Sequence, residues 1–137
     1  MNDDLYTLIA QPPDVANYCH LRAACGLSLK TIEAVQQGLA GTWFGVSLLY
    51  QNSVVGMGRI IGDGGCFFQI VDIAVLPEHQ GQGLGKRIMQ ALVDYLEQYA
   101  PASAYVSLIA DGPARHLYEQ YGFAYTAPAS VGMYRFF

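Results

Sequence analysis

Positive charge is scarce in this chain: seven lysines and arginines face eleven aspartates and glutamates in 137 residues, a formal net charge of −4. The few cations are scattered rather than clustered, which argues against nucleic acid as a main partner. An acidic surface suits a cationic amine instead. Cysteine is sparse as well. Cys19, Cys25 and Cys66 are odd in number and lack C-x-x-C spacing, so three reduced thiols in a cytoplasmic setting are expected, and no metal site. No apolar run reaches the ~20 residues that span a bilayer, so no membrane partner is expected. The opening Met1-Asn2-Asp3-Asp4 offers no apolar core for a secretory signal. Repeats, linkers and low-complexity tracts are also missing. Only 13% of residues are charged while 53% are hydrophobic, which excludes disorder and leaves one domain over residues 1–137.

Hydrophobic period and turn residues divide the rest. Leu5 to Ile9 reads as a short strand broken by Pro12-Pro13-Asp14, with Asp14 capping a helix from Val15 to Ala24. Ser28 is the expected cap of a second helix ending near Gln37, with Gly38 as its stop. Trp43 to Tyr50 and Val54 to Ile61 read as a hairpin turning at Gln51-Asn52-Ser53. Gly62-Asp63-Gly64-Gly65 leads into Cys66 to Leu76, a long run apolar on both faces, as a central strand requires. From Leu84 the period becomes helical, with Ile88, Ala91, Leu92, Tyr95 and Tyr99 on one stripe. Ala104 to Ile109 reads as a strand and Asp111-Gly112-Pro113 as the start of a short helix. Phe123 to Thr126 and Gly132 to Phe137 read as last strands. The expected class is mixed α/β, with a central mixed sheet of six to seven strands and helices on both faces; the strand–helix–strand unit over residues 66–109 is long enough for a parallel crossover.

The chemistry concentrates at Gln80-Gly81-Gln82-Gly83-Leu84-Gly85-Lys86, between the central strand and the amphipathic helix. A glycine-rich turn there aims free backbone N–H groups at the positive end of a helix dipole, which suits a phosphate. The spacing is neither G-x-G-x-x-G nor G-x-x-x-x-G-K-[ST], so dinucleotide and magnesium–nucleotide sites are not expected. A turn that merely lets strand and helix pack closely remains the alternative.

Ile73-Ala74-Val75-x-Pro77-x-x-Gln80-x-x-Gly83-x-Gly85 resembles the acetyl-CoA-binding motif of the GNAT (general N-acetyltransferase) superfamily. Asp111-x-x-Ala114-x-x-Leu117-Tyr118-Glu119-x-x-Gly122-Phe123 resembles a second segment of that family, in the same order, and the likeness covers roughly Val54 to Phe123. The resemblance implies acetyl-CoA as cosubstrate and a small amino-acid-like or polyamine-like amine as acceptor. Backbone groups of Ile73, Ala74 and Val75 would pair with the pantetheine amides. N–H groups of Gln80, Gly81, Gln82, Gly83, Gly85 and Lys86 would hold the pyrophosphate. Tyr118 would protonate the leaving thiolate. Asp111 departs from the family's frequent Asn, which sets a cofactor contact against a role capping its own helix. Dimers are common among such proteins, which admits a homodimer.

Direct attack on a thioester requires a neutral amine, and a lysine-like amine with a pKa of ~10.4 needs help at neutral pH. Asp72, a carboxylate in an apolar strand, is the candidate base; a bond to a neighbouring strand or an arginine is its structural alternative. Arg59 is a candidate for holding a substrate carboxylate, against a pair with Asp63 or Asp72. Tyr134, with Met133, is a candidate for the acceptor groove. His79, His20 and His116 read as packing or surface residues. Acetylation of a protein N-terminus or lysine, and non-catalytic sensing of acyl-CoA, stay open as alternatives.

Overall fold

The computed structural model describes residues 5–137. Five strands form one sheet in the order β1-β2-β3-β4-β5: β1 Tyr6–Ile9, β2 Phe44–Tyr50, β3 Ser53–Gly62, β4 Phe67–Val75 and β5 Tyr105–Leu108. The first four are antiparallel and β5 lies parallel to β4, so the sheet is mixed as expected. The β2–β3 hairpin turns on Gln51 and Asn52, at φ 50° and 64°, with Tyr50 opposite Ser53. Two left-handed residues give the turn whose twist matches that of the flanking strands.

Helix α1 spans Val15–Ala24 and is capped by Asp14, whose Oδ1 accepts the Asn17 N–H at 2.8 Å. Helix α2 spans Ile32–Ala40 and starts later than expected, at the Thr31 cap. The reason is local. Arg22 Nε donates to the Ser28 carbonyl and Nη2 to its hydroxyl, at 2.8 and 3.0 Å. Ser28 is thereby drawn to α1 rather than to a helix of its own. Helices α1 and α2 cover one face of the sheet around Tyr18, Leu21, Val35, Met57 and Ala74.

Helix α3, Leu84–Tyr99, covers the other face, burying Leu84, Ile88, Met89, Leu92, Val93 and Leu96. Each such side chain contributes about 1.5–3 kcal/mol of transfer free energy. A short helix α4, Arg115–Glu119, packs Leu117 and Tyr118 against the same core. The approach of α3 is close enough that a Cβ at Gly58 of β3 would stand 2.5 Å from Ile88 Cγ2.

The expected sixth and seventh strands are absent. Residues 123–137 run as irregular chain, with Met133, Tyr134 and Phe137 91%, 89% and 107% exposed. Aromatic residues at these positions give a strand-like pattern, but a strand needs a ladder partner, and this segment turns away at Thr126–Ser130 instead of pairing. No helix among the described residues is long and apolar enough to cross a membrane.

Candidate active site

Strands β4 and β5 part company halfway along. Their ladder runs from Phe67 opposite Tyr105 to Ile70 opposite Leu108, yet β4 continues to Val75. A β-bulge sits where they diverge: Arg59 faces Val71 and Met57 faces Ala74, so Gly58 is opposed by both Asp72 and Ile73. Such a bulge increases twist and bends the strand that carries it. Residues Ile73, Ala74 and Val75 follow with β3 on one side and, among the described residues, no strand on the other. Leu76 donates its N–H to Val55 on β3 at 2.9 Å. Successive amides of a strand alternate sides, so Val75 presents its backbone to the open side. Its carbonyl is already engaged, accepting from Gln80 Nε2 at 2.9 Å and from the Cys25 thiol at 3.3 Å.

The glycine turn lies at the end of that edge. Pro77–His79 form one 3-10 turn, and α3 then starts directly after Gly83, which caps it in the left-handed conformation at φ 78°. No side chain of a described residue caps this helix, and the first bond back to the turn is from Arg87 N–H to the Gly83 carbonyl. The N–H groups of Leu84, Gly85 and Lys86 therefore belong to the first turn, which has no earlier carbonyl to bond. A Cβ at Gly81, Gly83 or Gly85 would meet no described residue within 4 Å. Close packing of strand and helix is thus not what these glycines serve. Gly85 needs no positive φ, and glycine in a helix costs about 1 kcal/mol relative to alanine. Lys86, with Arg87 beside it, sits at the positive end of the dipole, and the first turn holds no acidic residue. Bare backbone, free amides and added cations together make a cradle for an anion approaching from outside. Tyr6 and His79 brace it: the Tyr6 hydroxyl lies 2.8 Å from His79 Nδ1, and Gln82 Nε2 donates to that hydroxyl at 3.3 Å.

Asp72 is the first residue of the bulge and holds a left-handed φ of 61°. Its Oδ1 accepts from Arg22 Nη1 at 2.6 Å; its Oδ2 accepts from Arg59 Nε at 2.9 Å and from the Tyr18 hydroxyl at 2.8 Å. Both oxygens are thus occupied by two guanidiniums and a phenol in a nearly buried setting. This geometry fits the structural alternative for Asp72, a carboxylate that clamps the bulge, better than it fits a base waiting for a proton. Arg59 makes the expected pair with Asp72 and not with Asp63, whose Oδ1 instead accepts three backbone N–H groups of its own turn. Burial first, and the Asp72 carboxylate second, raise the Tyr18 phenol above its ordinary value.

A 590 Å³ cavity opens at the fork, bounded by Gln69, Leu108, Tyr118, Phe123 and the tail residues Met133 and Tyr134. Burial, then the charge of Asp111, raise the Tyr118 phenol. It therefore stays a proton donor throughout the neutral range. Asp111 is exposed and its side chain caps nothing; only its carbonyl accepts from Ala114, at 3.1 Å. The capping alternative is accordingly not seen. Tyr134 lines the same cavity as Tyr118 from an almost fully exposed position.

Sequence reasoning missed Tyr18 and Arg22 entirely. A signal existed: Tyr18, Leu21 and Arg22 share one face of α1 at i, i+3 and i+4, and an arginine on an apolar stripe implies a buried partner.

Three comparisons bear on this arrangement. The family model described as Acetyltransferase (GNAT) family matches residues 9–123. A 34% identical stretch of 84 residues is shared with GCN5-related N-acetyltransferase 2, chloroplastic, of Arabidopsis thaliana; it takes in 61% of this chain and 32% of that protein's length. Among solved structures, a protein of unknown function and probable acetyltransferase from meticillin-resistant Staphylococcus aureus is 46% identical, with a TM-score of 0.91 over 96% of this chain and 99% of its own. A GNAT-family acetyltransferase of Streptococcus pneumoniae is 26% identical over 96% of this chain and 97% of its own, with a TM-score of 0.76.

Proposed function

This chain belongs to the acetyltransferase (GNAT) family, and from that premise we infer that it transfers the acetyl group of acetyl-CoA to the primary amine of a small molecule. The observation that carries the reading is the cradle at Gly81, Gly83 and Gly85, which no described residue obstructs and where the first-turn amides of α3 have no earlier carbonyl to bond. The cosubstrate supplies an activated thioester. The chain's own residues do the rest. N–H groups from Gly81 to Lys86 hold the diphosphate, whereas the Gln80 N–H expected among them is donated to the Pro77 carbonyl at 3.3 Å, and the open edge at Ile73, Ala74 and Val75 offers backbone partners to the pantetheine amides, as an added strand would receive. Amides left unpaired past the fork supply hydrogen bonds where charge develops on the carbonyl oxygen. Tyr118, kept protonated by burial, donates to the departing sulfur. Arg59 and Tyr134 stand on the acceptor side. Asp111 contributes its charge beside Tyr118 rather than a donor.

A second reading, binding of acyl-CoA without turnover, is favoured by the engagement of Asp72, which removes the candidate base from the amine. Thiol release from acetyl-CoA with a panel of amines decides between the two. Release that depends on an amine is expected; tight coenzyme A binding with no release from any amine supports a sensor. Gly83→Val should abolish coenzyme A binding measured by calorimetry, and unaltered affinity would refute the cradle.

A further inference from the structure

Charge does not balance around Asp72. Arg22 and Arg59 both pair with this one carboxylate, and their side chains are 10% and 8% exposed. Among the described residues no other carboxylate pairs with either arginine. Two buried cations and one anion leave a net positive charge, a costly state in a low-dielectric interior unless a further anion completes it. Arg59 also keeps donor capacity in hand. Its Nε serves Asp72, and its Nη1 serves the Gly38 carbonyl and Thr42 hydroxyl at 3.0 and 2.7 Å. Nη2 donates to no described residue, and a guanidinium has five N–H donors in a fixed fork.

The arginine borders a 240 Å³ cavity between α1, α2 and β3, which also presents Tyr18 and Lys30. Lys30 stands exposed at its mouth, with its ammonium 5.4 Å from the Phe136 ring of the C-terminal tail. A second cation thus faces the same small space. Its other walls, Ala34, Val35, Gly38 and Leu39, carry no charge.

We propose that this cavity binds a carboxylate of the acceptor, and that the preferred acceptor is an amino acid whose amine is several bonds removed from its acid group. The inference rests on the acetyl-transfer reading above and narrows its substrate. The spacing follows from the sheet. Arg59 is on β3, and the open edge of β4 is one strand away with the cosubstrate lying beyond it. The Arg59 guanidinium itself reaches Asp72 of β4, so about one strand spacing, roughly 5 Å, separates it from the cosubstrate. An α-amine beside its own carboxylate cannot span that distance, whereas a terminal amine on a short aliphatic chain can.

The test compares 5-aminopentanoate with pentylamine, which has the same chain and amine but no carboxylate. Calorimetric titration of the coenzyme A-loaded protein should show the amino acid binding about 10- to 100-fold more tightly, as expected for a charge-assisted pair. Lys30→Met, at an exposed position that leaves the Asp72 cluster intact, should lower that preference several-fold. Arg59→Lys is the second variant, with a larger expected loss; Lys30→Met keeps the test alive should Arg59→Lys fail to fold. Equal affinity for the two amines, or no binding of either up to tens of millimolar, overturns the carboxylate site. A full preference retained by Lys30→Met overturns its placement. Failure of coenzyme A to load would instead remove the transfer reading on which this one stands.

Discussion

Asp72 holds a backbone conformation that few side chains accept, and three donors hold Asp72. A non-glycine residue at φ 61° is strained unless its surroundings impose it. Here Arg22, Arg59 and Tyr18 do so, and the bulge they secure is what turns the end of β4 from β5. Asp72→Asn keeps the size and the tolerance for that φ but removes the charge that offsets two buried arginines. We expect a loss of about 3–5 kcal/mol in denaturant unfolding. A variant as stable as the parent but inactive would restore Asp72 to the role of base. Tyr118 differs in kind, since its phenol is half-buried and bonded to nothing that the fold depends on. Tyr118→Phe should lower turnover on the order of 100-fold while leaving coenzyme A affinity near the parent's. Equal turnover would sink its role as acid.

At the scale of elements, two glycines separate packing from binding. Gly58 lies beneath α3, where an added methyl would collide with the β-branched Ile88 and come within 3.1 Å of Leu92. Gly58→Ala should therefore destabilise the fold by about 1–3 kcal/mol. Gly85 lies in the first turn of α3 with open space around it. Gly85→Ala should raise stability by about 0.5–1 kcal/mol through helix propensity and weaken coenzyme A binding at the same time. Unchanged affinity in this variant would mean that the diphosphate does not approach there. The same contrast shows what could be read in advance. Helix α3, the hairpin and the glycine turn were legible because period, turn residues and a dipole act over a few neighbouring positions. The late start of α2 was not, because Ser28 is captured by Arg22 through tertiary contact. Nor was the bulge, which depends on a carboxylate meeting arginines 50 and 13 residues away. The tail between Phe123 and Phe137 misled because aromatic content signals β-propensity without supplying a partner strand.

For the whole molecule, pH sets fold and chemistry against each other. Cys25, Tyr18 and Tyr118 all have pKa values raised above 9.0 or 10.0, in each case chiefly by burial. The folded state thus binds these protons more tightly than the unfolded chain. Their contribution is complete below the unfolded values and is lost as pH climbs through the folded ones. Thermal unfolding should accordingly be level through neutrality and fall above about pH 9. A melting temperature that stays constant to pH 11 would contradict that burial. The acceptor pulls the other way. A terminal amine with a pKa of ~10.4 gains roughly tenfold in its reactive form for each pH unit through the neutral range. With Asp72 engaged by its arginines, no other buried carboxylate among the described residues stands ready to relieve that dependence. The pH profile of kcat/KM should therefore keep rising past pH 8, with Tyr118 still protonated, until the fold itself begins to fail. A plateau near pH 7 would reveal a base other than the engaged Asp72.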